Sequence, residues 1–440
     1  MTTRVGLVQL GCAKNQVDGE EMLGALAEGD VRFVADKSDA DVLIINTCGF
    51  INSAKEESVN AILDAVKRKQ RGQVAKVIVT GCLAQRYSAE LAQEIPEVDA
   101  FLGIESAPQV GNVVFGVRPG SINQVRDVEA RYPLVPQARL RATATPWTAY
   151  LKISEGCDHA CTFCAIPGIR GKHRSKPLER LAAEAQQLAQ SGATELNLVA
   201  QDTTAYGMDL YGRLALPELL ETLSAVSGLR WLRLLYCYPT MVRQPLIDAL
   251  RAFPNVIPYI DMPLQHGDNA MLKAMKRGGS VDQYKRLFER MRAALPDLTL
   301  RTTFLVGFPG ETDAHFDTLL RFVEDMKFDR VGVFTYSPEE GTPSFHLPCP
   351  VPARIMRERK DRLLAAQQPI SLQSNTAWVG RDLDVLVEGH RDNAAYGRSF
   401  RDAPEIDGAV LLPGCAAAPG TFVRARVVSA QPYDLVATVL

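Results

Sequence analysis

The sequence predicts an α/β protein in three parts: an N-terminal open parallel α/β sheet, a central partial (β/α)6 barrel, and a small all-β barrel of the oligonucleotide-binding kind. Three observations predict it. Apolar runs of strand length alternate with helical stretches over residues 4–115, the pattern of a parallel sheet. A second strand–helix series begins at Ala149 and holds six units, short of the eight in a closed barrel. Residues 372–440 carry short apolar strands punctuated by Gly389, Gly397, Gly408, Gly414 and Gly420, as small β-barrels do. The expected boundaries are 3–116, a linker over 117–142, 143–371, and 372–440.

In the first part the strands are Val5–Leu10, Asp41–Asn46 and Lys76–Thr80, with helices over Asp18–Ala27 and Ser53–Lys67. Each strand runs into a cysteine: Cys12, Cys48 and Cys82. Ligand sites of open parallel sheets gather at the carboxyl ends of the strands, so three thiols far apart in sequence are expected to meet at one edge. Buried core thiols are the competing reading. Val117-Arg-Pro-Gly and Tyr132-Pro-Leu-Val-Pro have no clear period and mark the linker.

In the second part the strands are Ala149–Ile153, Glu195–Ala200, Trp231–Tyr236, Ile257–Met262, Leu298–Val306 and Arg330–Tyr336. The helices Leu178–Ser191, Leu216–Ser224, Gln244–Ala252, Val281–Ala294 and Thr312–Asp325 separate them. A helix over Ala353–Gln368 leads into the third part, whose strands are Leu383–Val387, Ala409–Leu412, Thr421–Val428 and Leu435–Leu440.

Composition narrows the class. Hydrophobic residues make up 46% and charged residues 23%, ordinary for a globular protein with cores of its own. The formal net charge of −2 gives no global pull toward nucleic acid or membrane. The first residues are too interrupted for a signal peptide, and no stretch approaches the roughly 18 apolar residues of a membrane span. A cytoplasmic protein is expected, and there nine cysteines point to metal or redox chemistry rather than to disulfides.

Just after the first strand of the second part stands Gly156-Cys-Asp-His-Ala-Cys-Thr-Phe-Cys-Ala-Ile-Pro. Cys157, Cys161 and Cys164 are spaced CxxxCxxC, at the face where barrel enzymes place their active sites. Thiolates are soft ligands for iron–sulfur clusters or zinc. A cubane cluster normally takes four cysteines, so three leave one iron open for chemistry. Zinc needs a fourth ligand, for which His159 and His173 are the candidates.

This triplet on a partial barrel resembles the radical S-adenosylmethionine superfamily. Asn46-Thr-Cys-Gly-Phe-Ile-Asn-Ser-Ala-Lys-Glu-Glu-Ser, Gly81-Cys, Gly171-Lys-His-Arg-Ser, Tyr259-Ile-Asp-Met-Pro-Leu-Gln-His-Gly and Val306-Gly-Phe-Pro-Gly-Glu-Thr are similar to its methylthiotransferases. The resemblance covers nearly the whole chain and implies a radical core followed by a TRAM barrel. It implies two 4Fe-4S clusters: a radical cluster on Cys157, Cys161 and Cys164, and an auxiliary one on Cys12, Cys48 and Cys82 that carries the transferred sulfur. Two S-adenosylmethionine molecules serve, one to methylate the sulfur and one to generate the 5′-deoxyadenosyl radical. An electron donor of the flavodoxin or ferredoxin kind is also implied.

The cysteine motifs are similar to the class that modifies the β-carbon of an aspartate in protein twelve of the small ribosomal subunit. The rival class modifies an adenosine of transfer RNA, and a non-catalytic iron–sulfur protein is the reading of a different kind. Ala13 stands where the family often has proline, and Lys176 where arginine is common; neither removes a ligand. Residues 372–440 hold eight acids, six arginines and no lysine, so they lack the basic surplus of an RNA grip and suit a basic protein partner.

Other residues carry two readings each. Phe163 matches the family position that packs near adenine. Arg170 and Arg174 suit carboxylate recognition, of cofactor or substrate, against a solvated basic loop. Glu195 is read as a partner of the cofactor ammonium or as half of a structural ion pair. Gln265 and His266 are read as lining the pocket, or as helix capping or packing residues. Gly307 and Gly310 allow close backbone approach to the cofactor or form an ordinary turn. Cys237, Cys349 and Cys415 are read as structural.

Overall fold

The structure is a computed structural model, and it describes residues 2–35, 37–116, 122–124, 138–141, 143–392 and 394–440. The two proline-containing stretches read as linker, at 117–120 and 132–136, lie outside those residues.

Six parallel strands form the N-terminal sheet, in the order Val31–Phe33, Thr3–Gln9, Val42–Thr47, Lys76–Gly81, Ala100–Leu102 and Ile122–Gln124. Three of these were expected. The other three are only three residues long, too short to show a period, and Ile122–Gln124 falls inside the segment expected to be linker. Val42–Thr47 is buried at every position because helices cover both faces of the sheet, which explains its uninterrupted apolar run. Leu43, Ile45, Val77 and Val79 face Ile62 and Leu91 on one side. Val42, Ile44 and Ile78 face Met22, Leu26 and Val113 on the other.

The register pairs Gln9 with Asn46 and Asn46 with Thr80, so the three strands end together. The strand order also reverses at Thr3–Gln9: its successor in the chain lies on one side and Val42–Thr47 on the other. That is the switch point at which open α/β sheets place ligands.

The central sheet has six parallel strands in chain order, Thr148–Lys152, Glu195–Val199, Trp231–Leu234, Val256–Asp261, Thr299–Val306 and Arg330–Thr335. All six were expected, and the sheet stays open. Its outer face packs on helices through Leu181, Leu219, Ile247, Leu287 and Leu319. Its inner face is different. Tyr150, Val199, Trp231, Ile257 and Tyr259 pack with Leu386 and Ala403 of the C-terminal part and with Val17 of the N-terminal part. All three parts therefore share one apolar cluster.

The helix expected over Ala353–Gln368 runs over Ala353–Thr376, through Pro369. An interior proline costs about 3 kcal/mol. The helix continues because Leu363, Gln367, Ser371 and Asn375 form one buried face. Gln367 and Asn375 there bond the Phe328 carbonyl and the Arg330 and Arg401 guanidinium groups. A closed five-stranded barrel follows, in the order Asp382–Arg391, Ala394–Arg398, Val410–Pro413, Leu435–Val439 and Phe422–Ala430. Ala394–Arg398 was not expected, since Ala-Ala-Tyr-Gly-Arg carries little strand signal. Among the described residues no helix is long and apolar enough to cross a membrane.

Candidate active site

The N-terminal triplet is assembled at the common strand edge. Cys12 immediately precedes the helix Ala13–Leu26, Cys48 follows Val42–Thr47, and Cys82 opens the helix Cys82–Glu94. Gly11 and Gly81, at φ +89° and +92°, make the turns. A Cβ at Gly11 would stand 3.0 Å from the Cys48 Cβ, so the Cys12 turn lies against Cys48. Burial raises the Cys48 thiol, and it pushes Cys82 up to about 12 although Arg170 pulls the other way. Cys12 keeps access to solvent. The protein crowded about it raises its pKa, but Lys14, Arg170 and the N–H groups of Asn15 and Lys14 outweigh that and lower it.

The second triplet is held in a loop closed at its base. Ser154–Glu155 pairs antiparallel with Arg174–Ser175, and the Cys157 N–H donates to the Gly171 carbonyl at 3.1 Å. Gly156 has φ +76°, and any side chain there would strike the Lys172 carbonyl. The far side of the loop is anchored by Thr162, whose N–H donates to Met275 O and whose carbonyl accepts from Ser344, at 3.0 and 2.9 Å. Burial raises Cys157 to about 11 and Cys164 to about 12.

Both triplets fit iron–sulfur ligation by the chemistry of their donors. The backbone N–H groups of Phe50, His159 and Ile166, two residues on from Cys48, Cys157 and Cys164, pull the pKa of those thiols down against the effect of burial. Such donors favour thiolate, and a bound cationic metal centre supplies the charge that deprotonates a buried thiol. Among the described residues no three His, Cys, Asp or Glu side chains are placed to hold one metal ion. Thiols that serve separate irons of a cubane need not converge on one point. The histidines considered as zinc ligands are engaged elsewhere. His159 Nε2 lies 2.6 Å from Asp202 Oδ2 and its ring stacks on Tyr238 at 3.5 Å, while His173 Nε2 lies 3.2 Å from Ser175 Oγ.

Arg170 stands between the triplets. It ends the short helix Ile166–Arg170 behind Cys164 and is 1% exposed. Its Nη1 donates to Glu155 Oε2 at 2.8 Å; its Nη2 donates to Asp18 Oδ2 at 2.9 Å and lies 3.2 Å from Cys82 Sγ. Lys152 bridges the same two carboxylates, and Gln201 Nε2 donates to Glu155 Oε1 at 2.7 Å. Burial would raise the Glu155 carboxyl, but Arg170 and Lys152 hold it well below the carboxylate range.

The remaining expectations divide. Phe163 is half-buried against Met271, Met275, Leu305, Phe308 and Tyr336, beside the CxxxCxxC sulfurs. Arg170 finds carboxylates, as its guanidinium suggests, but they are the protein's own. Arg174 pairs with Glu105 at 2.8 Å.

Glu195 is a correction: it is not brought to the cysteine loop. It is the first residue of its strand, at the edge opposite the loop, and is bound by Arg398 at 2.6 Å, Arg233 at 3.1 Å and Thr148 at 2.9 Å. Gly307, at φ +81°, adjoins Met356, whose side chain any Cβ would strike, so packing as well as the turn demands glycine. Gly310, at φ +83°, donates its N–H to Cys349 O at 2.9 Å. His266 is buried, facing Glu311 Oε1 at 3.3 Å, and Gln265 sits at φ +75°, a strained state for a residue with a side chain. Cys237 is packed in the core and the half-buried Cys415 packs against the core of the C-terminal barrel, whereas Cys349 is exposed, so packing explains the first two but not Cys349.

Three residues near the second triplet went unread in the sequence. Arg277 Nη1 lies 3.8 Å from Cys161 Sγ, and its guanidinium lies over Tyr238 at 3.9 Å. Gln201 Oε1, just past the strand Glu195–Val199, is a buried acceptor with no partner among the described residues. The rule that placed the cysteines, chemistry at carboxyl ends of strands, also selects Gln201.

Comparison with known proteins agrees with the three parts. Residues 4–103 match the uncharacterized protein family UPF0004, 151–323 the radical SAM superfamily, and 379–440 the TRAM domain. The ribosomal protein uS12 methylthiotransferase RimO of Anaeromyxobacter sp. (strain K) is 47% identical over 451 residues, covering 100% of this chain and 94% of that protein. RimO of Desulforamulus reducens is 47% identical over 436 residues, covering 98% of each. Among solved structures, the radical S-adenosylmethionine methyltransferase TsrM from Kitasatospora setae superposes with a TM-score of 0.59 at 14% identity, covering 78% of this chain and 77% of that one. That likeness speaks for the fold alone.

Proposed function

The chain belongs to the RimO family of ribosomal protein uS12 methylthiotransferases, and from that premise we propose how its residues divide the work of methylthiolating the β-carbon of a uS12 aspartate. Cys157, Cys161 and Cys164 hold the radical cluster, and Cys12, Cys48 and Cys82 the auxiliary one. When bound, the first supplies the electron that cleaves S-adenosylmethionine, and the second supplies a place for the sulfur to be transferred. The site would take two S-adenosylmethionine molecules, one as the source of the methyl group and one as the source of the radical, with the electron supplied by a flavodoxin- or ferredoxin-like donor.

The observation that carries the two-centre reading is Arg170, which reaches from the loop of one triplet to a sulfur of the other. The chain's own residues bind, orient and exclude water. Phe163 and its apolar neighbours dry one side of the CxxxCxxC loop. Arg277, stacked on Tyr238, sets positive charge beside Cys161. Gln201 offers an acceptor at the barrel mouth.

A protein substrate is supported by the C-terminal barrel. Arg381, Arg398, Arg401, Arg424 and Arg426 are each paired with a carboxylate, to Asp297, Glu195, Asp329, Asp384 and Asp382 respectively. Five of its six arginines are thus neutralised locally, which leaves little for a phosphate backbone.

The test is anaerobic reconstitution, followed by incubation with S-adenosylmethionine, reductant and either uS12 or transfer RNA. Mass spectrometry should find the methylthio group on the uS12 aspartate. A mark on the nucleoside alone would overturn the reading.

A further inference from the structure

The carboxylates that hold Arg170 are attached to the cysteine-bearing segments themselves. Asp18 and Asn15 lie on the helix that begins directly after Cys12, and Glu155 lies two residues before Cys157. Arg170 lies six residues after Cys164 and bonds all three, with Asn15 Oδ1 at 3.3 Å. Asp18, Glu155 and Arg170 are 5%, 1% and 1% exposed, so water does not screen these interactions. The fourth partner of the guanidinium is Cys82 Sγ.

We infer that Arg170 is a positioning residue of the methylthiotransferase: it fixes the separation of the two triplets and, through its bond to the Cys82 sulfur, tunes the reduction potential of the auxiliary cluster. The inference rests on the two-cluster reading above. A cationic donor at a ligand sulfur favours the more negative, reduced cluster, so it raises the potential. The fork matters as much as the charge. Nη1 serves Glu155 while Nη2 serves Asp18, Asn15 and Cys82. A lysine ammonium is a single point and cannot reproduce both ends. Lys152 already bridges the two carboxylates, so a structural ion pair persists without Arg170. Among the described residues no other side chain donates to the Cys82 sulfur.

The test uses the full-length chain carrying Cys157→Ala, Cys161→Ala and Cys164→Ala, which isolates the auxiliary site, with Arg170→Met or Arg170→Lys added. Iron and sulfide content, the electron paramagnetic resonance of the reduced cluster, and its midpoint potential are read. Arg170→Met should lower the potential and alter the spectrum; Arg170→Lys, which keeps the charge, should lower the potential by less. With all six cysteines present, Arg170→Lys should raise the ratio of deoxyadenosine to methylthiolated product by about tenfold or more, the fold-change of one charge-assisted hydrogen bond.

If both substitutions leave potential and spectrum unchanged with iron retained, the inference falls and the two-cluster reading stands. If the isolated Cys12, Cys48 and Cys82 triplet binds no iron even with Arg170 present, the two-cluster reading falls and takes the inference with it. Should Arg170→Met fail to fold, Arg170→Lys decides alone.

Discussion

Replacing Glu195 by glutamine tests whether this carboxylate is a clamp between the central sheet and the C-terminal barrel. Glu195 is fully buried and receives Arg398 at 2.6 and 3.1 Å, Arg233 at 3.1 and 3.2 Å, and the Thr148 hydroxyl at 2.9 Å. Arg398 belongs to the barrel strand Ala394–Arg398, and Arg233 also donates to Phe400 O, so the charge joins the two domains. Removing one partner of a buried ion pair costs about 3–5 kcal/mol, because the opposite charge is left uncompensated.

The pH dependence gives a second magnitude. Burial would raise the Glu195 carboxyl, but Arg398 and Arg233 bring it from 4.5 down to about 2. A folded-state pKa below the unfolded one adds stability above the unfolded value and loses it as pH falls through the folded value. A depression of this size corresponds to about 3 kcal/mol, in step with the deletion estimate. The contribution is complete near pH 7 and disappears between about pH 4.5 and 2.

The assay is domain-resolved: protection of the barrel from limited proteolysis, together with urea unfolding at pH 7 and across the acid range. Glu195→Gln should expose the barrel at pH 7 and flatten the acid slope, and Arg398→Met in the same chain should recover part of the loss. A Glu195→Gln protein within about 0.5 kcal/mol of wild type, the range of ordinary surface changes, would refute the clamp.

Other outcomes follow from the same contacts. Cys157→Ala should abolish deoxyadenosine formation, whereas Cys48→Ala should retain that cleavage and lose methylthiolation; chromatography of deoxyadenosine and mass spectrometry of uS12 read the two separately. Gly307→Ala should destabilise by about 1–3 kcal/mol, from left-handed backbone and collision with Met356 together. Adding Met356→Ala should relieve the collision but not the backbone cost, which melting of the two variants resolves. Ile44→Ala, at a fully buried site on the face of the N-terminal sheet that packs on Met22, Leu26 and Val113, should cost about 2–5 kcal/mol in urea titration.

What the sequence made legible was whatever repeats along the chain. The long strands and the Cys12, Cys48 and Cys82 strand ends were readable because a strand buried on both faces is a continuous apolar run, and the residue after it is marked by position alone. Strands of three residues carry no such run, and Ala394–Arg398 has too little bulk to signal one. The helix expected to stop at Gln368 runs on through Pro369 to Thr376, because Gln367, Ser371 and Asn375 continue its buried face.

Partnerships across domains were not legible at all. Arg170 meets Asp18 across 152 positions and Glu195 meets Arg398 across 203, and no local period encodes either. Glu195 was misplaced for a nearer reason. It was read as the first residue of the correct strand, and the carboxyl-end rule, applied to that strand, selects Gln201 and Asp202 instead.

The two kinds of domain contact do different work. Burying large apolar side chains contributes about 1.5–3 kcal/mol each, and one cluster joins Val17 from the first part, Tyr150, Trp231, Ile257 and Tyr259 from the second, and Leu386 from the third. That contact is strong but tolerant, because apolar surfaces slide and repack at modest cost. A buried ion pair adds little net stability over an apolar substitute, yet it is costly to misalign. The Asp18, Glu155, Lys152 and Arg170 square therefore contributes geometry where the cysteine-bearing segments meet, and the apolar cluster contributes the association. An interface made of either alone would hold the domains together without fixing the distance between the triplets, or fix that distance without holding the domains.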